Sequence, residues 1–502
     1  MTKQNLTLRN MFTISIFALY LLFFAYTLIN VINRYSERGD KSYIFISIAL
    51  ALISAAAMAL FRSKIRIHLT DRNLNVCFFI VLSITLIFML YIIFTLKTKP
   101  NADAKVLDGV ARNFAKDGNW LNIYRGFAKN QGYFERYTNN WSLLILLSVY
   151  FRVFYLILGY VPITAPLLLN VLFMGISFVF YYFISRLIFK DRFKILMSIF
   201  AMMFCLPLYG HVNHTYTDVL SLPFVMSSVY FVIRTVKSKS VKSFLINLIA
   251  SSIIVAVGYS FKGSLAVIIV SSIIYIFIAC GWKKSLVSIF SFLTIFLLVN
   301  NVLLFKFVSA NNIITDDFEK NRFPATHWIM MGLKGEGCFS QKELSFTYHQ
   351  ENYDERKEAN IKIIKERLSQ PKELFSHFNT KSAFTWSDGK YRYRHYLKRA
   401  NDSPLKAFLL KSKISHGYAQ IYHLIMLLSM FVCIIYSLIR KNKSYMLYVC
   451  LSVFGLSLFL MIWETTPRYL FNFILLFLLM AVDGFSHLYK FIYRFIRKNN
   501  HC

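Results

Sequence analysis

The residues able to do chemistry lie in short polar stretches between long apolar runs. The first stretch, Lys97 to Asn140, reads KTKPNADAKVLDGVARNFAKDGNWLNIYRGFAKNQGYFERYTNN. It carries carboxylates at Asp103 and Asp108 near its start and an acid–cation pair, Glu135 and Arg136, near its end. The turn GHVNHTYTD closes on Asp218, and single cations stand at Lys262 in FKG and at Arg468 in WETTPR. A carboxylate can take a proton from a hydroxyl, and guanidinium or ammonium groups can hold a phosphate. Plainer explanations exist for each. Asp103 could sit in the first turn of a helix, where exposed N–H groups favour a carboxylate. Asp108 and Arg112, four apart, read as an ordinary helix-face ion pair. Lys262 could snorkel to an interface, and Arg468 could pair with nearby Glu464.

The elements that must position these residues are set by composition. Of 502 residues, 57% are apolar and 16% charged, and several apolar runs reach the roughly 20 residues a bilayer crossing needs. The chain therefore reads as an all-α polytopic membrane protein of about twelve spans. They are drawn at 11–32, 43–61, 75–96, 165–189, 194–212, 218–236, 243–260, 263–281, 285–306, 418–439, 444–463 and 469–489. The first is too long for a signal peptide and lacks a small-residue cleavage pattern, so it is expected to be a retained anchor. Drawn this way, the basic clusters RSKIR (62–66), KDRFK (190–194), KSKSVK (237–242), WKK (282–284) and RKNK (440–443) all fall on the cytoplasmic side, as does each terminus. That clustering explains the formal net charge of +33 through the positive-inside bias and argues against a nucleic-acid partner. The seven cysteines show no CxxC spacing and imply neither a disulfide framework nor a zinc site.

One apolar stretch, Trp141 to Gly159, is decided by parity. Were it to cross, KDRFK would lie outside and every later basic cluster would be inverted unless a second span were dropped. It also carries Arg152 near its middle, which costs about 2.5–3.5 kcal/mol at a bilayer centre. It is expected to be an interfacial helix. Val106, Val110 and Phe114 recur at four-residue spacing, as on a second amphipathic helix lying along the membrane surface. The layout is then an N-terminal hairpin (1–74), a membrane module (75–306) with its outer loop 97–140, a large outer loop (307–417) with helical periodicity near Asn352–Leu368, and C-terminal spans with a short basic tail (418–502).

The order of short motifs resembles the GT-C superfamily of integral-membrane glycosyltransferases, in the branch of lipid A aminoarabinose transferases and protein O-mannosyltransferases. Asp103 stands fifteen residues before Gly118-Asn119-Trp120, similar to that branch's acidic residue, amphipathic helix and Gly-Asp-Trp-like turn. Tyr133-Phe134-Glu135-Arg136 looks like its aromatic–acid–cation element. An interfacial helix, a span, a basic turn, another span and a second acidic residue, here Asp218, complete the series over roughly residues 75–240. The arginine–tyrosine pair Arg468-Tyr469 resembles an element near the end of such enzymes. The proline that often follows the loop's cation is replaced by Tyr137-Thr138-Asn139-Asn140, and the usual acidic neighbour of the aspartate is Ala104.

The resemblance implies transfer of a sugar from a polyprenyl-phosphate donor, with no nucleotide fold and no cofactor. Asp103 is the expected general base, Glu135 and Asp218 are positioning carboxylates, and Arg136, with Lys262 and Arg468, binds donor phosphate. His327-Trp328, in PATHWIMMGLKGEG, could stack on a sugar or order the loop, and Gly332, Gly335 and Gly337 read as a turn. His211 and His214 lack a third metal ligand, and no metal is expected. The PATHWIMMGLKGEG loop resembles cell-envelope transferases of Gram-positive bacteria. That implies a bacterial plasma-membrane enzyme with its site outside, acting on a teichoic acid, a wall polysaccharide or a surface protein. A transporter or lipid-carrier flippase would instead place acids inside spans and break helices in two matching halves. Apart from Asp483, the acids gather in loops. A non-catalytic membrane partner of the same fold is the third reading.

Overall fold

A computed structural model describes residues 3–67, 69–120, 132–315, 317–440 and 444–499. The tip of the first loop (121–131) and residues 441–443 of the RKNK cluster lie outside the described residues. Among the described residues there are helices and no strands, which in a bilayer leaves every spanning backbone group satisfied within its own segment.

Among the described residues, twelve helices are long and apolar enough to cross a membrane; Thr138–Leu158 is one of them and the segment 192–212 is not. Ends of neighbouring helices fix their directions. At one face, Thr70 caps Asp71–Leu96 through Asn73 N (3.1 Å), and Asp191 caps Arg192–Met203 through Phe193 N (3.2 Å). The Arg192 Nε also reaches Asp71 at 3.2 Å. At the other face Phe88 meets Tyr209 with ring centroids 5.4 Å apart, and Thr98 donates to Asn213 Oδ1 at 3.4 Å. The segment 192–212 therefore runs the same depth as Asp71–Leu96. It does so in two pieces, Arg192–Met203 and Leu206–His211, because Pro207 cannot continue the helical hydrogen-bond ladder. The unbroken span expected at 194–212 is in fact a broken one.

Trp141–Leu158 has the length and composition of a span, yet both its flanks are tied to one face. Ser142 Oγ donates to Ser260 Oγ at 2.7 Å, at the end of Val241–Phe261. Eight residues past Leu158, Pro166 O accepts from Thr215 Oγ1 at 2.8 Å. A helix that starts and finishes beside the same face lies along it. Its Arg152 is satisfied by the last carbonyls of Ala102–Asp117, Ala115 O at 2.7 Å and Lys116 O at 2.8 Å, so the expected cost of a stranded guanidinium does not arise. These two helices pack together on the face that carries the large loop, called here the loop face.

Pro467–Tyr493 is the axis of the bundle, with 94% of its apolar window buried against 11% for Trp282–Ala310. The N-terminal hairpin packs onto the C-terminal spans and the large loop. Tyr35 Oη donates to Ser387 O at 3.1 Å and Gln420 Oε1 at 3.0 Å, and Arg34 pairs with Glu336 at 2.8 Å. Within the loop, Asn352 caps Tyr353–Leu368 by accepting from Asp354 N (3.1 Å) and Glu355 N (3.0 Å), matching the periodicity read there. The segment after Trp386 turns sharply through Tyr391 and Arg392, both at positive φ (50° and 62°). Asp388 holds that turn by accepting from Lys390 N and Arg392 N, each at 3.1 Å. It delivers Tyr393 onto Gly210, where a Cβ would lie 2.3 Å from the ring.

Candidate functional site

Asp103 occupies the first turn of Ala102–Asp117, and its helix is not capped by a side chain. The carboxylate is half-buried and accepts from Tyr216 Oη at 3.2 Å. Tyr137 stands in the field of Asp103; burial and that negative charge push its phenol up to about 12. Asp108, by contrast, pairs with Arg112 Nε at 2.7 Å. The Arg112 guanidinium is further fixed by Val161 O at 2.7 Å, so the plain ion-pair reading of Asp108 holds.

Asp218 is 1% exposed and draws in two cations from distant parts of the chain. Lys262 Nζ hydrogen-bonds its Oδ1, and Arg468 Nε lies 3.9 Å from its Oδ2, which accepts no hydrogen bond from the described residues. Lys262 is therefore not a snorkelling lysine: it is half-buried, and burial lowers its pKa against the opposing pull of Asp218. Aromatic rings complete the enclosure. Lys262 Nζ is 4.5 Å from the Tyr469 centroid, and Arg468 Cζ is 5.3 Å from both Tyr216 and Tyr469, distances at which ring faces attract cations. Asn472 Nδ2 donates to Ser264 Oγ at 3.0 Å, which ties the Lys262 turn to the Arg468 turn.

The expected Arg468–Glu464 pair does not form. From Pro467 the chain enters a tight 3-10 helix, Pro467–Phe473, which turns Arg468 toward Asp218 and Tyr469 toward Glu464, whose Oε1 accepts from Tyr469 Oη at 3.3 Å. Burial raises the Glu464 carboxyl pKa, and the negative charge of Asp103 adds to that rise. The turn is held from behind by Lys381, whose ammonium bonds Gly332 O, Met461 O (2.9 Å) and Trp463 O (2.8 Å). Three carbonyls around one ammonium cap two helix ends at once.

The remaining candidates are placed as follows. Glu135 is 1% exposed and accepts from Thr315 N (3.0 Å), Thr315 Oγ1 and Asn321 Nδ2 (2.6 Å), so it pins the first loop to the large one. Arg136 lies over Tyr348, 5.4 Å from its centroid; the cations within 4 Å of Asp218 among the described residues are Lys262 and Arg468. His327 is enclosed, its Nδ1 2.8 Å from Thr347 Oγ1, where it orders the loop core. Trp328 stacks on Trp463 at 5.8 Å. His211 and His214 pack on Phe471 (3.8 Å) and Tyr396 (3.7 Å). Gly335 and Gly337 have positive φ (57° and 71°), as a turn requires. Sequence reasoning missed Tyr216, Glu464, Lys381 and the segment after Asp388. Of these, only Glu464 carried a signal, in its closeness to Arg468.

The site thus joins a carboxylate on one side, Asp103, to two half-buried cations sharing the buried carboxylate of Asp218 on the other. The family described as conserved hypothetical integral membrane protein matches residues 1–487. No curated protein matches the sequence at a significant level. A solved structure, ArnT from Cupriavidus metallidurans bound to undecaprenyl phosphate, is 12% identical over 83% of this chain and 78% of its own, with a TM-score of 0.37. That likeness is too distant to assign a chemistry.

Proposed function

The chain belongs to this family of conserved hypothetical integral membrane proteins, and we propose that it is a membrane glycosyltransferase taking its sugar from a polyprenyl-phosphate donor. The observation that carries this reading is the pairing of Asp103, which no cation neutralises at ion-pair distance among the described residues, with the Lys262–Asp218–Arg468 cluster. Two cations sharing one carboxylate leave a surplus positive charge. A departing polyprenyl phosphate gains negative charge as its bond to the anomeric carbon breaks, so the surplus stabilises the transition state more than the ground state. Asp103 takes the proton of the acceptor hydroxyl as that oxygen attacks the anomeric carbon. Tyr216 orients the carboxylate, and Asp218 holds the two cations apart.

Phosphate contact belongs in this reading to Lys262 and Arg468, with Arg136 at the rim. Glu135 positions the first loop. Trp328, through its stacking on Trp463, borders the Glu464 turn. The loop face is the outer face of a bacterial plasma membrane, and the acceptor is a cell-envelope molecule. A transporter fits less well, because Asp103 and Asp218 lie at one face rather than along a path through the spans.

Asp103→Asn tests the proposal. An amide of equal size cannot take the proton, and loss of a general base costs about a hundred- to ten-thousand-fold. Sugar transfer is measured in membranes supplied with the lipid-linked donor and normalised to protein level. Wild-type turnover by this variant would overturn the enzyme reading.

A further inference from the structure

The large loop is divided in charge. Residues 307–387 hold eleven acidic and eleven basic residues, whereas 388–413 hold two acidic and eight basic. Both acids of the second part are occupied: Asp388 by Lys390 at 3.3 Å and Asp402 by Lys406 at 2.9 Å. Some of the bases are structural too. Arg394 bonds Leu409 O (3.1 Å) and Ser412 O (2.9 Å). What remains is a strip of exposed cations, Arg392, His395, Lys398 and Arg399, on the short helix Tyr393–Leu397 and the turns either side of it.

The strip bridges the two walls of the site. At one end Arg392 Nη1 bonds Thr466 Oγ1 at 2.9 Å, two residues before Arg468. At the other, Arg399 Nη1 bonds Pro100 O at 3.0 Å and Lys99 N donates to Arg399 O at 3.4 Å, three to four residues before Asp103. Lys97 and Lys99, also exposed, extend it. Between the ends, Tyr396 stacks on His214, and His395 lies in the field of Arg392, Lys398, Arg468 and Arg399. No carboxylate is paired with Lys97, Lys99, Lys398 or Arg399 among the described residues. Like charges held side by side repel, so an anion running along the strip would stabilise the arrangement.

We propose that this strip docks a polyanionic acceptor, a polymer bearing repeated phosphates, and leads its terminal hydroxyl to Asp103. The inference rests on the transferase reading and names the substrate class of that site. A polymer is favoured over an anionic lipid surface because the strip crosses between Thr466 and Pro100, from the Arg468 turn to the loop that carries Asp103. A surface reading the headgroups would follow the bundle's perimeter. Several phosphates engaged together also give the fork geometry of Arg392 and Arg399 repeated partners.

The test uses the full chain in phosphatidylcholine nanodiscs, with fluorescent long-chain inorganic polyphosphate as the probe. Binding is expected at about 0.15 M salt and to weaken as salt rises, each engaged cation adding roughly 0.7 to the log–log slope for a flexible polyanion. Lys99→Gln/Lys398→Gln/Arg399→Gln should lower the slope by about 2 and weaken binding at least tenfold. Lys99→Arg/Lys398→Arg, with Arg399 kept, should bind as the wild type, which controls for folding. Wild-type affinity in the glutamine variant overturns the proposal. So does absent polyphosphate binding with loss, in the same variant, of phosphatidylglycerol enrichment around the protein, which would make the strip a headgroup surface. Asp103→Asn should bind polyphosphate normally. Should that variant also transfer sugar normally, the transferase reading fails while the polyanion site stands.

Discussion

Two lysine–carboxylate pairs are buried in this protein, and they are built differently. Near the face opposite the large loop, Lys194 Nζ meets Asp483 Oδ1 at 2.5 Å, and the other carboxylate oxygen has Cys433 Sγ and His487 Nε2 each at 3.6 Å. The His487 ring is closed over by Tyr436 at 4.1 Å. One cation answers one anion, and apolar helices seal the pair. At the loop face Asp218 is shared between Lys262 and Arg468, keeps an oxygen without a hydrogen bond, and lies across from a second carboxylate. Balanced charge joins helices. Charge left in surplus beside an opening is an invitation to a ligand. Burial alone does not separate the two, since a buried ion pair is weak evidence even for stability.

The largest effect should come from removing the surplus. Lys262→Met/Arg468→Met is expected to lower sugar transfer by about three orders of magnitude or more, given that one electrostatic donor is worth roughly 10²–10³. Transfer within tenfold of wild type would erase the distinction between the pairs. Next in size, Lys194→Met leaves Asp483 unpaired in an apolar setting, which costs about 3–5 kcal/mol and should show as a fall in thermal stability in detergent. Lys194→Met/Asp483→Leu should recover most of that stability and keep transfer. Lys262→Met/Asp218→Leu should also recover stability, but without transfer. If the first double variant is stable and inactive, the inner pair has a role beyond scaffolding.

A smaller effect separates site from loop. Burial lowers the His327 pKa from its ordinary value near 6.5 to about 4, so the unfolded loop binds more protons between those values. Stability should be complete above about 6.5, fall as the pH drops toward 4, and change no further below it, by at most about 3 kcal/mol. Unfolding monitored by Trp328 fluorescence from pH 7 to 4 checks this, and His327→Asn should flatten the curve. The smallest effect is Asp108→Asn, which removes a helix-face pair worth roughly 0.2–0.5 kcal/mol and should leave transfer unchanged.

Much of the fold was legible because membrane spans advertise themselves locally. Length and apolarity drew most of the helices that are long and apolar enough to cross among the described residues, while parity spoke for laying Trp141–Leu158 along the surface against its own span-like length. Local pairs were legible as well, as Asp108–Arg112 shows. The site was legible only in its parts. Asp218 finds Arg468 from 250 residues away, and nothing in spacing announces such a meeting. The plain alternative of an Arg468–Glu464 pair did not hold, because the 3-10 geometry after Pro467 turned the two side chains to other neighbours. Pro207 was a visible sign that the span at 194–212 would break, but only the depth-matched contacts at its ends show that the break leaves it crossing.

Gly210 and Tyr393 set an order of assembly. The phenol ring fills the space where any side chain at 210 would lie, and the two residues are separated by the later part of the membrane module and most of the large loop. As the chain leaves the ribosome, the broken span with its bare glycine enters the bilayer long before Tyr393 is made. Until then the walls carrying Asp103 and Asp218 lack both the basic strip that bridges them and the turn that supplies Arg468. A nascent chain stopped after Ala310 would hold the carboxylates and Lys262, but no chemistry. On the proposed reading, sugar transfer needs that last part of the protein, in which the tyrosine closes on its glycine.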